Sequence, residues 1–247
     1  MRKRKQLHKC KRSQAHVEMI LSFIIFVGFI TVMLILLNPI KTRPISTTIL
    51  DITEIQLSDY LSISYDTIPL FLDNETDKTH CIAIEKKRIR TDKSKVLVKD
   101  ITGEIVPASI DGNYIYIEPE ADSNFYRLFF SEDFTETADD LDDCNELEFD
   151  VNYTLGILNK KSNVFIPKIE NFTLEYQEEP DGYEELKNKL NLTNDFEVYV
   201  YDEDDIEIYS ATTYKPGSID IVARNVPTLA VDANAEVIDI TLNIRAW

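Results

Sequence analysis

The chain has 247 residues, 44 of them acidic and 26 basic, for a net charge of −18. Seven of the 26 basic residues precede Gln14, leaving 19 against 44 acidic residues, a net of −25 from Gln14 onward. A polyanion of that strength is repelled by nucleic-acid phosphates and by anionic lipid heads, which argues against a nucleic-acid partner.

The N-terminus is the first element. Residues 1–13 hold Arg2, Lys3, Arg4, Lys5, Lys9, Lys11 and Arg12 and no acidic residue. Met19–Leu37 follows, 19 residues without a charge. A helix of that length spans roughly 28 Å, close to the hydrocarbon core of a bilayer. Asn38-Pro39 supplies a stop. The basic flank keeps residues 1–13 cytoplasmic and puts everything after Pro39 outside. The prediction is a single-pass membrane protein with one transmembrane α-helix over 14–39. A conventional signal peptide does not fit, because NPIKTRPIS after Leu37 offers no small-residue cleavage site.

One feature of a plain anchor is wrong: Glu18 stands at the start of the apolar run. The stretch Lys11-Arg12-Ser13-Gln14-Ala15-His16-Val17-Glu18 resembles the class III signal peptide of archaeal type IV pilins and archaellins. That family has a short basic leader, a cut just before the apolar segment, often Gln as first mature residue and Glu at the fifth. Counting from Gln14, Glu18 is the fifth. Ser13 replaces the more usual Gly, and His16 stands where many members have Ser. The likeness covers only residues 9–38. It implies cleavage between Ser13 and Gln14, with Arg12 before the cut, by a membrane-embedded prepilin peptidase. It also implies partners, namely the membrane and other pilin-like subunits packed through the apolar helix. Cleavage would create an amine at Gln14 one turn from Glu18. A carboxylate buried in a helix bundle needs such a partner, and the pair would fix axial register. From charge placement alone, Glu18 at the headgroup level with water access remains an equal reading.

Beyond Pro44 the pattern is mostly strands. Ile45–Leu61 places Ile45, Ile49, Ile52 and Ile55 at helical spacing, but its Thr content also permits a strand. Alternation predicts strands at Ile82–Ile84, at Tyr114–Ile117 after the Asp111-Gly112-Asn113 turn, at Phe196–Tyr201, at Ile206–Ile208 and at Ile238–Ile244. These are strands with one wet face, as in antiparallel sheets. One short helix is expected from Gly182 to Leu190, with Asp181 as cap, Glu184 and Glu185 in its first turn, and Lys187 and Lys189 in its last. The fold class is therefore mainly β: an N-terminal helix, then a sandwich-like extracellular region with a short helix. The acidic stretch 136–149 is expected as a linker between β-rich regions 40–135 and 150–247; one continuous β domain is the alternative.

Candidate chemistry is sparse. Cys10 would leave with the leader, so Cys81 and Cys144 are the disulfide candidates in an oxidising compartment, two separate buried thiols being the alternative. Sequons make Asn74, Asn152, Asn171 and Asn191 glycosylation candidates. The groups Asp139, Asp140, Asp142, Asp143 and Asp202, Glu203, Asp204, Asp205 do not match a calcium loop and read as solvated acid, so no metal is assigned. No hydrolase, zinc or phosphate-loop motif is present, and His80-Cys81 reads as strand content rather than a dyad. No cofactor or catalytic residue is expected. The whole reads as a pilin-like cell-surface subunit whose head meets a surface or cell ligand. The alternatives are an uncleaved membrane-anchored ectodomain, such as a receptor or envelope protein, and an anchored extracellular hydrolase.

Overall fold

The computed structural model describes residues 5–36, 45–135, 137–138, 141, 144–178, 181–212 and 221–247, with side chains from 18 to 33 and from 48 onward. The chain divides into two units, Met1–Ile45 and Ser46–Trp247. In the first lies helix α1 (Lys5–Leu36). The second begins within α2 (Ile45–Leu61) and runs through β1 (Ser62–Leu72), β2 (Ile82–Glu85), β3 (Val96–Asp100), β4 (Ile105–Val106), β5 (Ala108–Asp111), β6 (Tyr114–Ile117) and β7 (Phe125–Phe130). It continues with β8 (Asn145–Glu146), β9 (Tyr153–Leu155), β10 (Asn159–Phe165), α3 (Ile166–Gln177), α4 (Gly182–Lys189), β11 (Phe196–Tyr201), β12 (Glu207–Ala211), β13 (Val222–Val231) and β14 (Val237–Ala246).

The second unit is mainly β. A ten-stranded sheet has the order β12-β11-β14-β13-β10-β1-β7-β3-β4, with β9 added against β1, and a four-stranded sheet has the order β5-β6-β2-β8. Strand β1 holds the large sheet together: Ser62–Thr67 pairs with β10 and Asp66–Phe71 with β7. The acidic stretch 136–149 is therefore not a boundary between two sheets. Strands from both predicted regions share one sheet, and Ser46–Trp247 is one compact unit. The physical reason is β1 itself: its eleven residues are long enough to pair with β10 along the first half and with β7 and β9 along the second.

One face of the large sheet is covered in two ways. Over β1, β3 and β7, Ile68, Leu70, Val98, Leu128 and Phe130 meet Ile82, Ile84, Ile115 and Ile117 of the small sheet, a local sandwich. Over β11, β13 and β14, helices α2, α3 and α4 bury Leu57, Phe172 and Leu186 against Phe196, Val198, Leu242 and Ile244. Helix α2 resolves the ambiguity at 45–61 in favour of helix, but it buries a different stripe from the isoleucines. Leu50, Thr53, Leu57 and Leu61 are buried, while Ile52 and Ile55 are exposed. Arg224 of β13 fixes that rotation: Nη2 donates to Asp51 at 2.8 Å and Nη1 to Glu54 at 2.6 Å.

All five predicted strands are present, although Ile206 falls in the turn before β12. Helix α4 forms as expected, but Asp181 does not cap it through its side chain. Its ψ of −3° leaves the extended conformation that a capping carboxylate needs. Gly182 enters the helix so close to α3 that a Cβ there would strike the Glu175 carbonyl.

Three hairpins share one acid-anchored turn. Asp100, Asp202 and Asp232 each accept, through Oδ1, the N–H groups two and four residues on, at 2.7–3.0 Å. The residue three on, Gly103, Asp205 or Ala235, has positive φ. This is a three-residue hairpin loop closed by an Asx interaction. The Thr102 hydroxyl above all, with the N–H groups of Glu104, Thr102 and Gly103, holds the Asp100 carboxyl below the usual carboxylate range against the opposing effect of burial. A depressed folded pKa stabilises above the unfolded value of about 3.9, and that contribution is lost as pH falls through the folded pKa. Asp100→Asn is expected to flatten the dependence of melting temperature on pH below about 4. A profile identical to the parent's would refute the assignment.

Candidate functional site

The feature that distinguishes the first unit is the surface of α1. Every described side chain from Glu18 to Met33 is exposed, and twelve of them are large and apolar. They run around the whole helix, so no wet face is reserved. Monomers in water rarely leave a contiguous apolar patch above a few hundred Å² uncovered, so this band calls for lipid or protein around it. Glu18 is the one acid in it. Thr31 donates its hydroxyl to the Val27 carbonyl at 2.8 Å, which satisfies the group without a partner from outside. A Cβ built on Gly28 meets nothing. Among the described residues, no helix is long and apolar enough to cross a membrane.

The leader does not stand apart from the helix. Helix α1 begins at Lys5, not at Gln14, and passes through Arg12, Ser13 and Gln14, whose side chains lie outside the described residues. The reason is local: Lys5–Gln14 contains no Gly or Pro and is rich in Lys, Arg, Gln and Leu, all good helix formers. The expected cut thus falls within helical backbone.

The two exterior cysteines are brought together. Cys81 and Cys144 are disulfide-bonded, with Cα atoms 4.4 Å apart across a sequence separation of 63. The bond sits where β8 joins the small sheet, beside the Asn145 N–H to Cys81 carbonyl hydrogen bond of 2.8 Å. It also removes Cys81 as a nucleophile. His80 is exposed and lies in the loop before β2, not in a strand.

The acid cluster at 139–143 lies partly outside the described residues, including all four of its aspartates. At Asp202–Asp205 the Asp202 carboxylate is committed to backbone N–H groups of its own turn. Among the described residues, no group of three or more His, Cys, Asp or Glu is placed to hold a metal ion.

The four sequons differ in access. Asn191 and Thr193 are both exposed, and Asn191 takes the left-handed conformation (φ 53°) just past α4. Asn171 is exposed but sits inside α3, with Thr173 Oγ1 bound to the Ile169 carbonyl. At Asn74 the sequon threonine, Thr76, is buried and donates to the Asn152 carbonyl at 2.9 Å. Asn152 is half-buried and accepts the Glu148 N–H at 2.9 Å. The geometry ranks Asn191 first and Asn171 second as acceptors.

No protein-family model, no curated protein and no solved structure matches this chain. The functional reading therefore stands on its own residues. What sequence reasoning missed is α3, although Pro167 at its first turn and Ile169, Phe172 and Tyr176 on one face carried the signal.

Proposed function

We propose that this chain is a type IV pilin-like cell-surface subunit. The N-terminus stays cytoplasmic, the leader is cut between Ser13 and Gln14, and the apolar helix holds the protein in the membrane until it packs with other subunits. The β-rich unit is the outward head. The observation that carries the reading is the band from Met19 to Met33, apolar and exposed all round, with a single carboxylate, Glu18, at its N-terminal end. The described band is about 22 Å long at 1.5 Å per residue, shorter than a bilayer core of about 30 Å. The uncharged run continues to Leu37 in the sequence, which brings the length to roughly 28 Å.

A second reading, an anchored ectodomain that keeps its leader, is favoured by one observation: α1 is unbroken from Lys5 across the Ser13–Gln14 bond. The mass of the N-terminal peptide, taken from membranes of cells that hold an archaeal prepilin peptidase, separates the two. A peptide beginning at Gln14 is expected, and Glu18→Val is expected to leave membrane retention intact while blocking assembly. A peptide beginning at Met1 or Arg2 would discard the pilin reading and keep the anchored ectodomain.

A further inference from the structure

The second face of the large sheet carries a cleft of about 530 Å³. Its floor is Tyr65, Thr67 and Pro69 of β1, with Lys161 of β10, Arg127 of β7 and Lys99 of β3 at its sides. The hairpin turns at Gly103 and at Ala235–Val237 rise at its rim. Two of the three acid-anchored turns, those of Asp100 and Asp232, therefore shape it.

The charge distribution in this cleft runs against that of the molecule. Acidic residues outnumber basic ones 44 to 26, yet three cations and one acid, Glu236, line this cleft. Among the described residues, the side chains of Lys99, Arg127 and Lys161 have no hydrogen bond or ion pair, whereas Lys187, Lys189, Arg224 and Arg88 all have carboxylate partners. Lys99 and Arg127 also face each other directly in the β3–β7 register. Like charges directly opposite across strands are destabilising. A fold in which carboxylates are abundant leaves these cations together and unpaired, an arrangement that a bound anion would satisfy.

The remaining lining narrows the anion. Thr67 and Tyr65 are buried hydroxyl residues, the Tyr65 hydroxyl donates to Asn163 at 3.0 Å, and Pro69, Phe129 and Val237 add apolar surface. Cations for carboxylates, hydroxyls and amides for hydroxyls, and apolar patches for C–H faces suit a sugar acid. The cavity volume is that of a small ligand rather than a folded partner.

We propose that the cleft between Lys99, Arg127 and Lys161 binds an acidic oligosaccharide bearing carboxylates. This goes beyond the pilin-like reading and does not depend on it, since binding is measured on purified protein whatever its N-terminus does.

The test uses the full chain in uncharged detergent and titrates it with a short oligouronate, a neutral oligosaccharide of equal length and inorganic phosphate. Binding of the oligouronate alone is expected, weakened about tenfold or more by Arg127→Gln and by Lys161→Gln. Arg90→Gln, which removes an exposed cation elsewhere, is expected to stay within about twofold, consistent with the screening of distant surface charges. Lys99→Gln is expected to raise the melting temperature of the ligand-free protein by about 1–3 °C, because it relieves the facing charges. Equal binding of the neutral sugar, phosphate binding as tight as the oligomer's, or no loss in Arg127→Gln would each overturn the proposal. A lower melting temperature in Lys99→Gln would overturn it too, by showing that the cation serves the fold.

Discussion

Removal of the Cys81–Cys144 bond is expected to destabilise the β-rich unit by about 4 kcal/mol, the chain-entropy value for a loop of this length. The loop closed by this bond spans 63 residues. It contains β2 through β7, so it encloses three of the four strands of the small sheet and β7, one of the partners of β1. The native side of the balance is also local. Strand β8 is held to β2 by only two residue pairs, Ile82–Asn145 and Ala83–Glu146, and the bond anchors the end of that pairing. Cys81→Ser with Cys144→Ser, compared with the parent by urea unfolding in uncharged detergent, reads the effect as a shift in midpoint. Ser is chosen to avoid reactive thiols. A loss of less than about 1 kcal/mol would show that the unfolded chain is already compact across this loop, so that the crosslink removes little freedom.

The parts of this fold legible in the sequence are those whose two faces differ in polarity. In β14, Ile240, Leu242 and Ile244 alternate with Thr241, Asn243 and Arg245, and burial follows that alternation. In β1 the pattern disappears because Tyr65, Asp66, Thr67 and Ile68 are all buried: the strand is central, covered on one face by the small sheet and on the other by the core of Tyr65, Phe129 and Phe134. A strand buried on both faces has no period-two signal. That loss concealed the element joining the two predicted β regions, and so suggested a boundary at the acidic stretch. At 45–61 the sequence leaves helix and strand open and does not show which stripe a helix would bury, because Ile52 and Ile55 are as apolar as Leu50 and Leu57 and Arg224, which pairs with the other side, lies 170 residues away from Glu54. The cationic cleft was illegible for the same reason. Lys99, Arg127 and Lys161 lie on three strands and meet only through register.

Phe196→Ala is expected to cost about 3–5 kcal/mol, the range for deleting a buried aromatic ring. Phe196 is fully buried where β11, α3 and α4 converge, with its ring 5.7 Å from those of Tyr176 and Tyr183 and 6.4 Å from that of Phe172. Its backbone is held as tightly as its ring: the Tyr176 hydroxyl donates to its carbonyl at 2.6 Å, and its N–H donates to the Tyr183 hydroxyl at 3.3 Å. Tyr183 in turn donates to Asp195 at 2.8 Å, beside Lys187 at 2.6 Å, and the Asp195 backbone exchanges both hydrogen bonds with Trp247. Burial opposes ionisation of Asp195, yet Lys187 and Tyr183 together keep its carboxyl below the usual range. Truncating the ring therefore opens a cavity beneath two hydroxyls whose partners depend on the position of β11. Phe196→Leu keeps much of the volume and separates the two contributions. If the leucine variant recovers most of the stability, the cavity dominates. If it loses nearly as much as alanine, the aromatic contacts do, and Tyr176→Phe should then cost further stability by leaving the Phe196 carbonyl without its donor. A loss below about 1 kcal/mol for Phe196→Ala would place the core of the helix-covered half elsewhere, since a well-packed aromatic cannot be removed at that cost.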